Sequence, residues 1–294
     1  MGAGKELIVV GGPTASGKTA LAIAVARALG TEIISGDSRQ FYREMCVGNA
    51  RPDPAELAAV RHHFVADRSV TEPLTAGRFA TEALGVLASL FEQHDRVVLV
   101  GGSGLYLRAL CEGLDEFPDV TDAARTQVQS LVAERGLAGL QAEVARLDPT
   151  YFATVDQRNP RRLERALLVC YSAGRPYSGF LGNRPARPFV SRYFQPRVER
   201  PALYARIDAR VDRMVEAGLE AEARALYPHR HLPALQTVGY QEWWPYFDHH
   251  CTRVRALELI KRNSRRYAKR QTTWFGRGGQ YRPVGGAEEV LRTL

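Results

Sequence analysis

The stretch GPTASGKT at residues 12–19 constrains this chain more than any other, because it fits the phosphate-binding pattern GxxxxGK[ST] in full. An apolar run at 7–11 precedes it and predicts a buried strand, and residues 19–29 have the pattern of a helix. In such a strand–loop–helix unit, backbone N–H groups of the loop and of the helix N-terminus bind phosphate oxygens. We therefore predict a diphosphate- or nucleotide-binding site made by Gly12, Pro13, Thr14, Ala15, Ser16, Gly17, Lys18 and Thr19.

The loop does not by itself establish nucleotide hydrolysis. Lys18 is expected to neutralise phosphate charge, and the Thr19 hydroxyl is expected to hold Mg²⁺. NTPases usually complete the Mg²⁺ shell with a carboxylate at the end of a second strand. The apolar run VVLV at 97–100 instead ends in GGSG, which contains no acid. The pattern predicts phosphate binding and leaves the chemistry open.

Short apolar runs separated by helical patterns predict the fold class. Strands are expected at 32–35, 97–100 and 189–194 in addition to the first one. Their alternation with helices predicts an α/β fold, a P-loop core with a parallel sheet flanked by helices. Ligands of such sheets bind outside the carboxyl ends of the strands, where the phosphate loop, Asp37 and GGSG all emerge.

The middle of the chain has a different pattern, with polar-faced helices broken by glycine and proline. It predicts an all-helical insertion at 120–185 within a discontinuous core of 1–119 and 186–294. A basic helix is expected near 252–270. The tail after it, 276–294, is expected to close the fold with a short strand and helix, or to be partly frayed.

Positive charge is clustered within a chain whose net charge is +8. Residues 157–192 contain eight arginines and one acid, and 251–275 contain eight Lys/Arg and one acid. Such clustering favours a polyanionic partner, with a solvated face as the alternative. In the basic helix, one face is predicted to carry Arg255, Arg262, Arg266 and Lys269, and the opposite face Leu257, Ile260, Ser264 and Ala268.

Composition excludes several classes of protein. No apolar run approaches the 18 or so residues that span a bilayer, and the first residues, MGAGKELIVVGG, lack the apolar core of a signal peptide. The four cysteines form no CxxC pair, which disfavours a disulfide framework or a zinc site. We expect a cytoplasmic protein that does not engage a membrane.

Asp37, at the end of the second predicted strand, has two interpretations. Aspartate favours helix N-caps, so it could begin the next helix. It could equally act as a general base beside a bound phosphate ester, a role that contributes typically 10²–10⁴-fold. Spacing alone leaves both open.

Five motifs taken together resemble one family, the bacterial tRNA dimethylallyltransferases, also called tRNA isopentenyltransferases. They are GPTASGKT (12–19), DSRQ (37–40), GGSGLYL (101–107), TVGYQE (237–242) and SRRYAKRQTTWF (264–275), in that order along the chain. The resemblance runs from about residue 7 to residue 275. It implies transfer of a dimethylallyl group from dimethylallyl diphosphate to N6 of the adenosine 3′-adjacent to the anticodon, with release of diphosphate and a requirement for Mg²⁺. The phosphate loop would then hold a prenyl diphosphate, and the helical insertion would contact the anticodon stem-loop of tRNA. We expect a monomer.

The resemblance also assigns residues. It implies that Asp37, Thr19, Ser103 and Arg210 are catalytic, with Asp37 as proton acceptor, Arg210 on the diphosphate and Thr19 on Mg²⁺. The residues that it implies for tRNA contact are Asp37, Ser38, Arg39, Gln40, Ser103, Arg125, Arg161, Arg162, Leu163, Glu164, Arg165, Gly239 and Tyr240.

The chain departs from the family pattern at two places. Ser103 stands where threonine is usual, which keeps the hydroxyl and loses the methyl group. GNARP at 48–52 stands where GTAKP is usual. The zinc finger of the eukaryotic branch has no counterpart after Phe275.

Two other functions compete with this one. A P-loop small-molecule kinase shares the loop and topology, but it gives no reason for two large basic segments. An RNA-binding protein that uses nucleotide as a switch accounts for the charge and leaves Asp37 and GGSG without a role.

Overall fold

Six parallel strands form one sheet in the order β3-β2-β4-β1-β5-β6. The strands are β1 Glu6–Gly11, β2 Ile33–Ser35, β3 His62–His63, β4 Arg96–Gly101, β5 Val190–Pro196 and β6 Arg282–Val284. The computed structural model describes residues 4–294. The predicted parallel α/β fold is confirmed, including the return of the chain to the sheet near residue 190.

Twelve α-helices are present in the described part of the chain. They are α1 Lys18–Leu29, α2 Pro54–Ala59, α3 Ala76–Gln93, α4 Gly104–Glu112, α5 Asp122–Leu147, α6 Pro149–Phe152, α7 Pro160–Ala173, α8 Arg200–Glu216, α9 Leu219–Leu226, α10 Trp244–Phe247, α11 Arg253–Phe275 and α12 Ala287–Leu291. Short 3₁₀ turns lie at Tyr177–Phe180, Tyr227–His229, Pro233–Leu235 and Arg277–Gly279. No helix within residues 4–294 is long and apolar enough to cross a membrane.

The sheet is buried on both faces because its central strands β1 and β4 are apolar at every position after the first. In β1, Leu7 and Val9 pack against α3 and α4 in one core cluster, whereas Ile8 and Val10 pack against α1 and α12 in another. Successive side chains of a strand point to opposite faces, so one continuous apolar run supplies both cores. This is why the runs at 7–11 and 97–100 identify central strands.

The chain divides into two compact units, one of residues up to Cys111 together with Arg187–Leu294 and one of Glu112–Ala186. The second unit begins at Glu112 rather than at residue 120. In that unit α5 and α7 bury Val144, Leu163 and Leu167 between them. Its carboxylate Asp148, 1% exposed, accepts hydrogen bonds from the Ser178 backbone and hydroxyl.

Helices of the first unit form a further core beside the sheet. Trp243 and Tyr240 are fully buried there with residues of α9 and α11. On α11 the predicted division of faces is confirmed: the four predicted cations are exposed, Ile260 and Ala268 are buried, and Leu257 and Ser264 are half-buried. The tail forms β6 and α12, as expected.

Gly101 ends β4 where two backbones meet. A Cβ added there would lie 2.5 Å from the carbonyl oxygen of Gly36, just after β2. That distance is too short for any side chain, and the neighbour is backbone that cannot rotate away. The close approach brings the ends of β2 and β4, and hence Asp37 and the GGSG segment, together.

We predict that Gly101→Ala lowers the free energy of unfolding by about 2 kcal/mol, the cost of overpacking a rigid site. The matched control is Gly85→Ala in the middle of α3, where an added Cβ meets nothing within 4 Å. It is expected to raise stability by about 0.5–1 kcal/mol, because alanine favours helix over glycine. Urea unfolding of both variants measures the difference. Wild-type stability in Gly101→Ala would contradict the close approach.

Candidate active site

The phosphate loop connects β1 to α1 and begins the helix without a side-chain cap. Gly17 at the N-cap has φ 91°, the left-handed region that glycine adopts readily. Ala15 has φ 61°, a conformation that costs a non-glycine residue about 1–3 kcal/mol and that concentrates at functional sites. The N–H groups of the first turn of α1 have no intrahelical partner. They are therefore available to an anion.

A cavity of about 820 Å³ opens in front of this loop. Its walls come from the loop and the start of α1, the residues after β2, the segment leading to α2, and one face of α8. The cationic residues that line it are Lys18, Arg51, Arg206, Arg210 and Arg213, and the acidic ones are Asp37, Asp53 and Glu56.

Lys18 and Arg210 are buried cations that face one carboxylate. Burial lowers the pKa of Lys18, which the charge of Asp37 opposes and the charge of Arg210 reinforces. Burial likewise lowers the pKa of Arg210, and Asp37 again opposes the change. Glu56 also opposes the lowering for Arg210, and the charge of Arg213 reinforces it. Because five cations and three carboxylates line the cavity, its positive field is not fully compensated. The site is therefore built for a further anion.

Arg210 is held in place from two sides. Its guanidinium donates to the Thr14 hydroxyl at 3.0 Å and to the carbonyl oxygen of Ala50 at 2.9 Å. The same Ala50 oxygen accepts from the Gln40 side chain at 3.2 Å. An arginine on α8 thus reaches the phosphate loop with its orientation fixed, as the prediction of a diphosphate contact requires.

Gln271 on α11 ties the phosphate loop to the end of β4. Its side-chain oxygen accepts from the Thr14 N–H at 2.9 Å, and its amide donates to the Gly102 carbonyl at 2.9 Å. The residue is 5% exposed. Sequence reasoning missed this role, although Gln271 lies inside the SRRYAKRQTTWF motif.

A second, smaller cavity of about 90 Å³ adjoins the first and shares Thr14, Asp37 and Arg210 with it. Its apolar wall is formed by Ile207, Val211, Met214, Val238 and Ile260. We call this smaller cavity the apolar recess. Asp37 lies where the recess meets the larger, polar cavity in front of the phosphate loop.

The residues that follow Asp37 form a turn and not a helix. Its carboxylate accepts the Arg39 N–H at 3.3 Å, and its carbonyl accepts the Gln40 N–H at 3.0 Å. Residues 38–41 form a turn, so the helix N-cap interpretation is wrong. The carboxylate lines both cavities.

Ser103, Ser38 and Tyr267 lie around Asp37. The Ser103 hydroxyl accepts the Ser38 N–H at 3.0 Å and donates to the Ser38 hydroxyl at 3.0 Å. Burial and the charge of Asp37 raise the pKa of Tyr267 to about 12, while its hydrogen bond with Ser103 opposes the rise. The phenol therefore stays protonated at neutral pH. Tyr267 lies inside the SRRYAKRQTTWF motif, but the motif does not predict its place beside Asp37.

Glu222 organises the loop that carries GNARP. Its carboxylate accepts the N–H groups of Cys46, Val47 and Gly48 at 2.7–2.9 Å and the Tyr240 hydroxyl at 2.6 Å. Tyr240 is fully buried, so its side chain supports this loop and is not available to RNA. Gly239 lines the smaller cavity. Nothing in the local sequence marks Glu222.

The remaining residues predicted for tRNA contact lie in the second unit. Arg125, Arg161, Arg162 and Arg165 are exposed, and Arg165 stands over the Phe117 ring at 5.1 Å. The other two predicted contact residues are less accessible: Leu163 is fully buried in the core of that unit, and Glu164 is half-buried. Contact of this surface with tRNA stays a prediction.

Fold and site together define a P-loop enzyme. The IPP transferase family model matches residues 40–278. The tRNA dimethylallyltransferase of Christiangramia forsetii is 47% identical over 270 residues, 92% of this chain and 89% of that protein. That of Flavobacterium johnsoniae is 44% identical over 280 residues, 93% and 91% of the two chains. The chain belongs to the IPP transferase family.

Solved structures agree with this assignment. The full-length tRNA isopentenylpyrophosphate transferase of Bacillus halodurans superposes with a TM-score of 0.71 at 32% identity, over 98% of this chain and 94% of that one. A eukaryotic dimethylallyltransferase acting on tRNA has a TM-score of 0.78 at 23% identity, over 92% and 70%. The latter shows the likeness of fold.

We predict that Gln271→Met weakens binding of inorganic diphosphate about tenfold, or about 1.4 kcal/mol, because Thr14 and the loop lose their anchor. Stability should fall by about 2 kcal/mol, since two buried backbone groups lose their partners. Calorimetric titration and urea unfolding measure the two effects. The control is Gln93→Met at the exposed end of α3. Unchanged diphosphate affinity in Gln271→Met would show that the loop holds its shape unaided.

Proposed function

We propose that this enzyme transfers a dimethylallyl group from dimethylallyl diphosphate to N6 of the adenosine 3′-adjacent to the anticodon in tRNA, releasing diphosphate. One observation carries the proposal: a phosphate loop with two buried cations shares Asp37 with a compact apolar recess. The names of the curated relatives, tRNA dimethylallyltransferase, support the same chemistry.

The donor binds chiefly through its diphosphate. Loop N–H groups, Lys18 and Arg210 take the phosphate oxygens, and the anion supplies the charge that these buried cations lack. The five-carbon chain enters the apolar recess, where each buried carbon contributes only about 0.8 kcal/mol. The recess excludes water, which competes for an allylic centre that develops positive charge.

The departing diphosphate gains negative charge as its C–O bond breaks. Hydrogen bonds to Thr14 and Ala50 hold Arg210 beside the phosphate loop, and Lys18 lines the same cavity. Preorganised charges of this kind stabilise a transition state without reorganisation at the moment of reaction. In this proposal the leaving group lies on the phosphate loop and the reacting carbon lies beside Asp37.

The acceptor nitrogen is a poor nucleophile, because the lone pair of an adenine amine is delocalised into the ring. Its N6 must lose a proton as the C–N bond forms. Asp37 accepts that proton. The protonated Tyr267 phenol lies close enough to Asp37 for the carboxylate charge to raise the pKa of the phenol, and it hydrogen-bonds to Ser103.

Mg²⁺ fits the oxygen groups at the start of α1. The Thr19 hydroxyl faces the large cavity, and the Ser16 hydroxyl is buried without a partner among the described residues. Hydroxyl, phosphate and water oxygens are ligands that Mg²⁺ prefers. The Thr19 and Ser16 hydroxyls would hold the ion, which would supply positive charge that neutralises the leaving group. We propose that the enzyme acts as a monomer in the cytoplasm.

Recognition of tRNA rests on two exposed cationic surfaces, one on α7 and one on α11. The arginines of α7 are Arg161, Arg162 and Arg165, and α11 carries Arg262, Arg266 and Lys269. Each neutralised phosphate adds roughly 0.7–0.9 to the slope of log affinity against log salt. A small-molecule kinase has no use for either surface.

We predict that Asp37→Asn lowers kcat about 10²- to 10⁴-fold, because the proton acceptor is lost while its shape is kept. The KM for dimethylallyl diphosphate should stay the same or fall, since a negative charge beside the diphosphate is removed. Transfer of radiolabel from the donor to tRNA lacking the modification measures both constants.

Asp53→Asn is the matched control. Asp53 lines the same cavity but caps α2, a role that asparagine fills equally well. It should retain activity within a few-fold of wild type. Full activity in Asp37→Asn would leave the enzyme a transferase whose base lies elsewhere.

A further inference from the structure

A third cavity, of about 470 Å³, lies at the carboxyl ends of β5 and β6. Pro13 of the phosphate loop lines it, whereas Thr14 and the loop residues after it line the cavity for the diphosphate. Helix α11 contributes Lys269 and Thr273 to this third cavity and Gln271 to the smaller apolar cavity beside Asp37. Two residues along an α-helix stand about 200° apart, so the two cavities lie on opposite faces of α11. Nothing in the proposed reaction uses this third cavity.

Its lining combines positive charge with apolar surface. Arg197, Arg200 and Lys269 face it, and no acidic residue lines it within the described chain. The Arg200 guanidinium stands 5.2 Å over the ring of Tyr204 and donates to its hydroxyl at 3.1 Å. Leu203 and three prolines supply the apolar wall. The volume lies within the range of small-molecule sites, about 300–1,000 Å³.

These cations are largely unneutralised. Among residues 4–294, neither Arg200 nor Lys269 has a carboxylate within 4 Å, and Arg197 reaches Glu289 only at 3.5 Å. A nucleotide fits a site that has cations beside an aromatic ring, because its phosphate can bind the cations while its base stacks on the ring.

A row of cations on α11 leads to the cavity. Arg262, Arg266 and Lys269 follow at steps of four and three, are exposed, and have no ion-pair partner in the part of the chain described. Lys261, just before Arg262, pairs with Asp212 at 2.5 Å, and Arg265, just before Arg266, pairs with Asp208. The paired cations fix α11 to α8. The cations of the row, Arg262, Arg266 and Lys269, remain available to bind successive phosphates of a nucleic-acid strand.

We propose that this cavity binds one unpaired nucleotide of the tRNA substrate, its base against Tyr204 and its phosphate against Arg200 and Lys269. The inference rests on the proposed function, which makes tRNA the acceptor. Because unpaired RNA bases are recognised by stacking on aromatic side chains, a loop of tRNA is the part that fits. The nucleotide fixes the RNA on one face of α11, while Gln271 on the other face holds the phosphate loop. The cavity is a positioning site for the acceptor and takes no part in bond making.

Lysine footprinting tests this directly, because the chain has only four lysines. Lys18 is buried, Lys5 pairs with Asp95 and Lys261 pairs with Asp212, which leaves Lys269 as the exposed lysine without a carboxylate among the described residues. The native enzyme is acetylated alone, with unmodified tRNA, with AMP and with dimethylallyl diphosphate, and read by mass spectrometry. Saturating tRNA should slow acetylation of Lys269 about tenfold relative to Lys5, and the prenyl donor should not.

Two results overturn the proposal. Equal acetylation of Lys269 with and without bound tRNA would show that no nucleotide covers the cavity. Protection by AMP but not by tRNA would make it a site for a free nucleotide instead. Saturation is verified by fluorescence anisotropy of labelled tRNA. Absence of tRNA binding in that measurement would count against the proposed function itself, so the two failures are distinguishable.

Variants separate stacking from charge. Tyr204→Leu should weaken tRNA binding about tenfold and leave the slope of log affinity against log salt unchanged. Tyr204→Phe, which keeps the ring, should bind tRNA about as tightly as wild type. Lys269→Ala should lower the salt slope by about 0.7–0.9, because one phosphate contact is lost. Lys5→Ala is the charge-matched control and should change neither quantity. Thermal unfolding verifies the fold of each variant. Wild-type affinity and slope in both Tyr204→Leu and Lys269→Ala would overturn the assignment.

Discussion

The site depends on two buried cations that share one carboxylate. Lys18 comes from the phosphate loop and Arg210 from α8, almost two hundred residues later, and burial lowers the pKa of each. Asp37 is the neighbour whose charge favours both protonated forms. Such a site has an excess of positive charge, which the diphosphate of the proposed donor would balance. In the proposed reaction the same carboxylate lies beside the reacting carbon, where proton removal is needed.

Much of the surrounding structure serves to hold these three groups. The close approach of Gly36 and Gly101 brings the ends of two strands together. Gln271 connects the phosphate loop to Gly102 by hydrogen bonds to backbone. Glu222 collects three backbone N–H groups of the loop before Ala50, whose carbonyl orients Arg210. Gln271 and Glu222 each fix backbone with a polar side chain, so removing either would leave backbone groups without a partner and would cost stability.

Local patterns predicted the parts of the fold that local physics determines. Strands β1 and β4, apolar after their first residue, and the phosphate loop follow from hydrophobicity and glycine spacing. Strand β3 did not, because it has two residues, His62 and His63, and exists only through pairing with Ile33 and Ile34 of β2. The helical insertion was expected, but residues 112–119 lack a periodic pattern that would assign them to it.

The candidate site divides in the same way. Lys18, Thr19 and Asp37 sit in short motifs and were found from them. Gln271 meets Thr14 across 257 positions of sequence, and Glu222 meets Cys46 across 176. Such contacts depend on tertiary packing and have no local signal. The motif that contains Gln271 marked its neighbourhood but not its role.

The central claim is that the phosphate loop holds a prenyl diphosphate and not a nucleotide. The most direct measurement incubates the enzyme with Mg²⁺, tRNA lacking the modification, dimethylallyl diphosphate and ATP together, then quantifies tRNA nucleosides by mass spectrometry alongside free diphosphate and ADP. The account predicts N6-dimethylallyladenosine and diphosphate in equal amounts, with ATP unchanged. Unmodified tRNA accompanied by ADP would contradict it and would assign the loop to nucleotide chemistry.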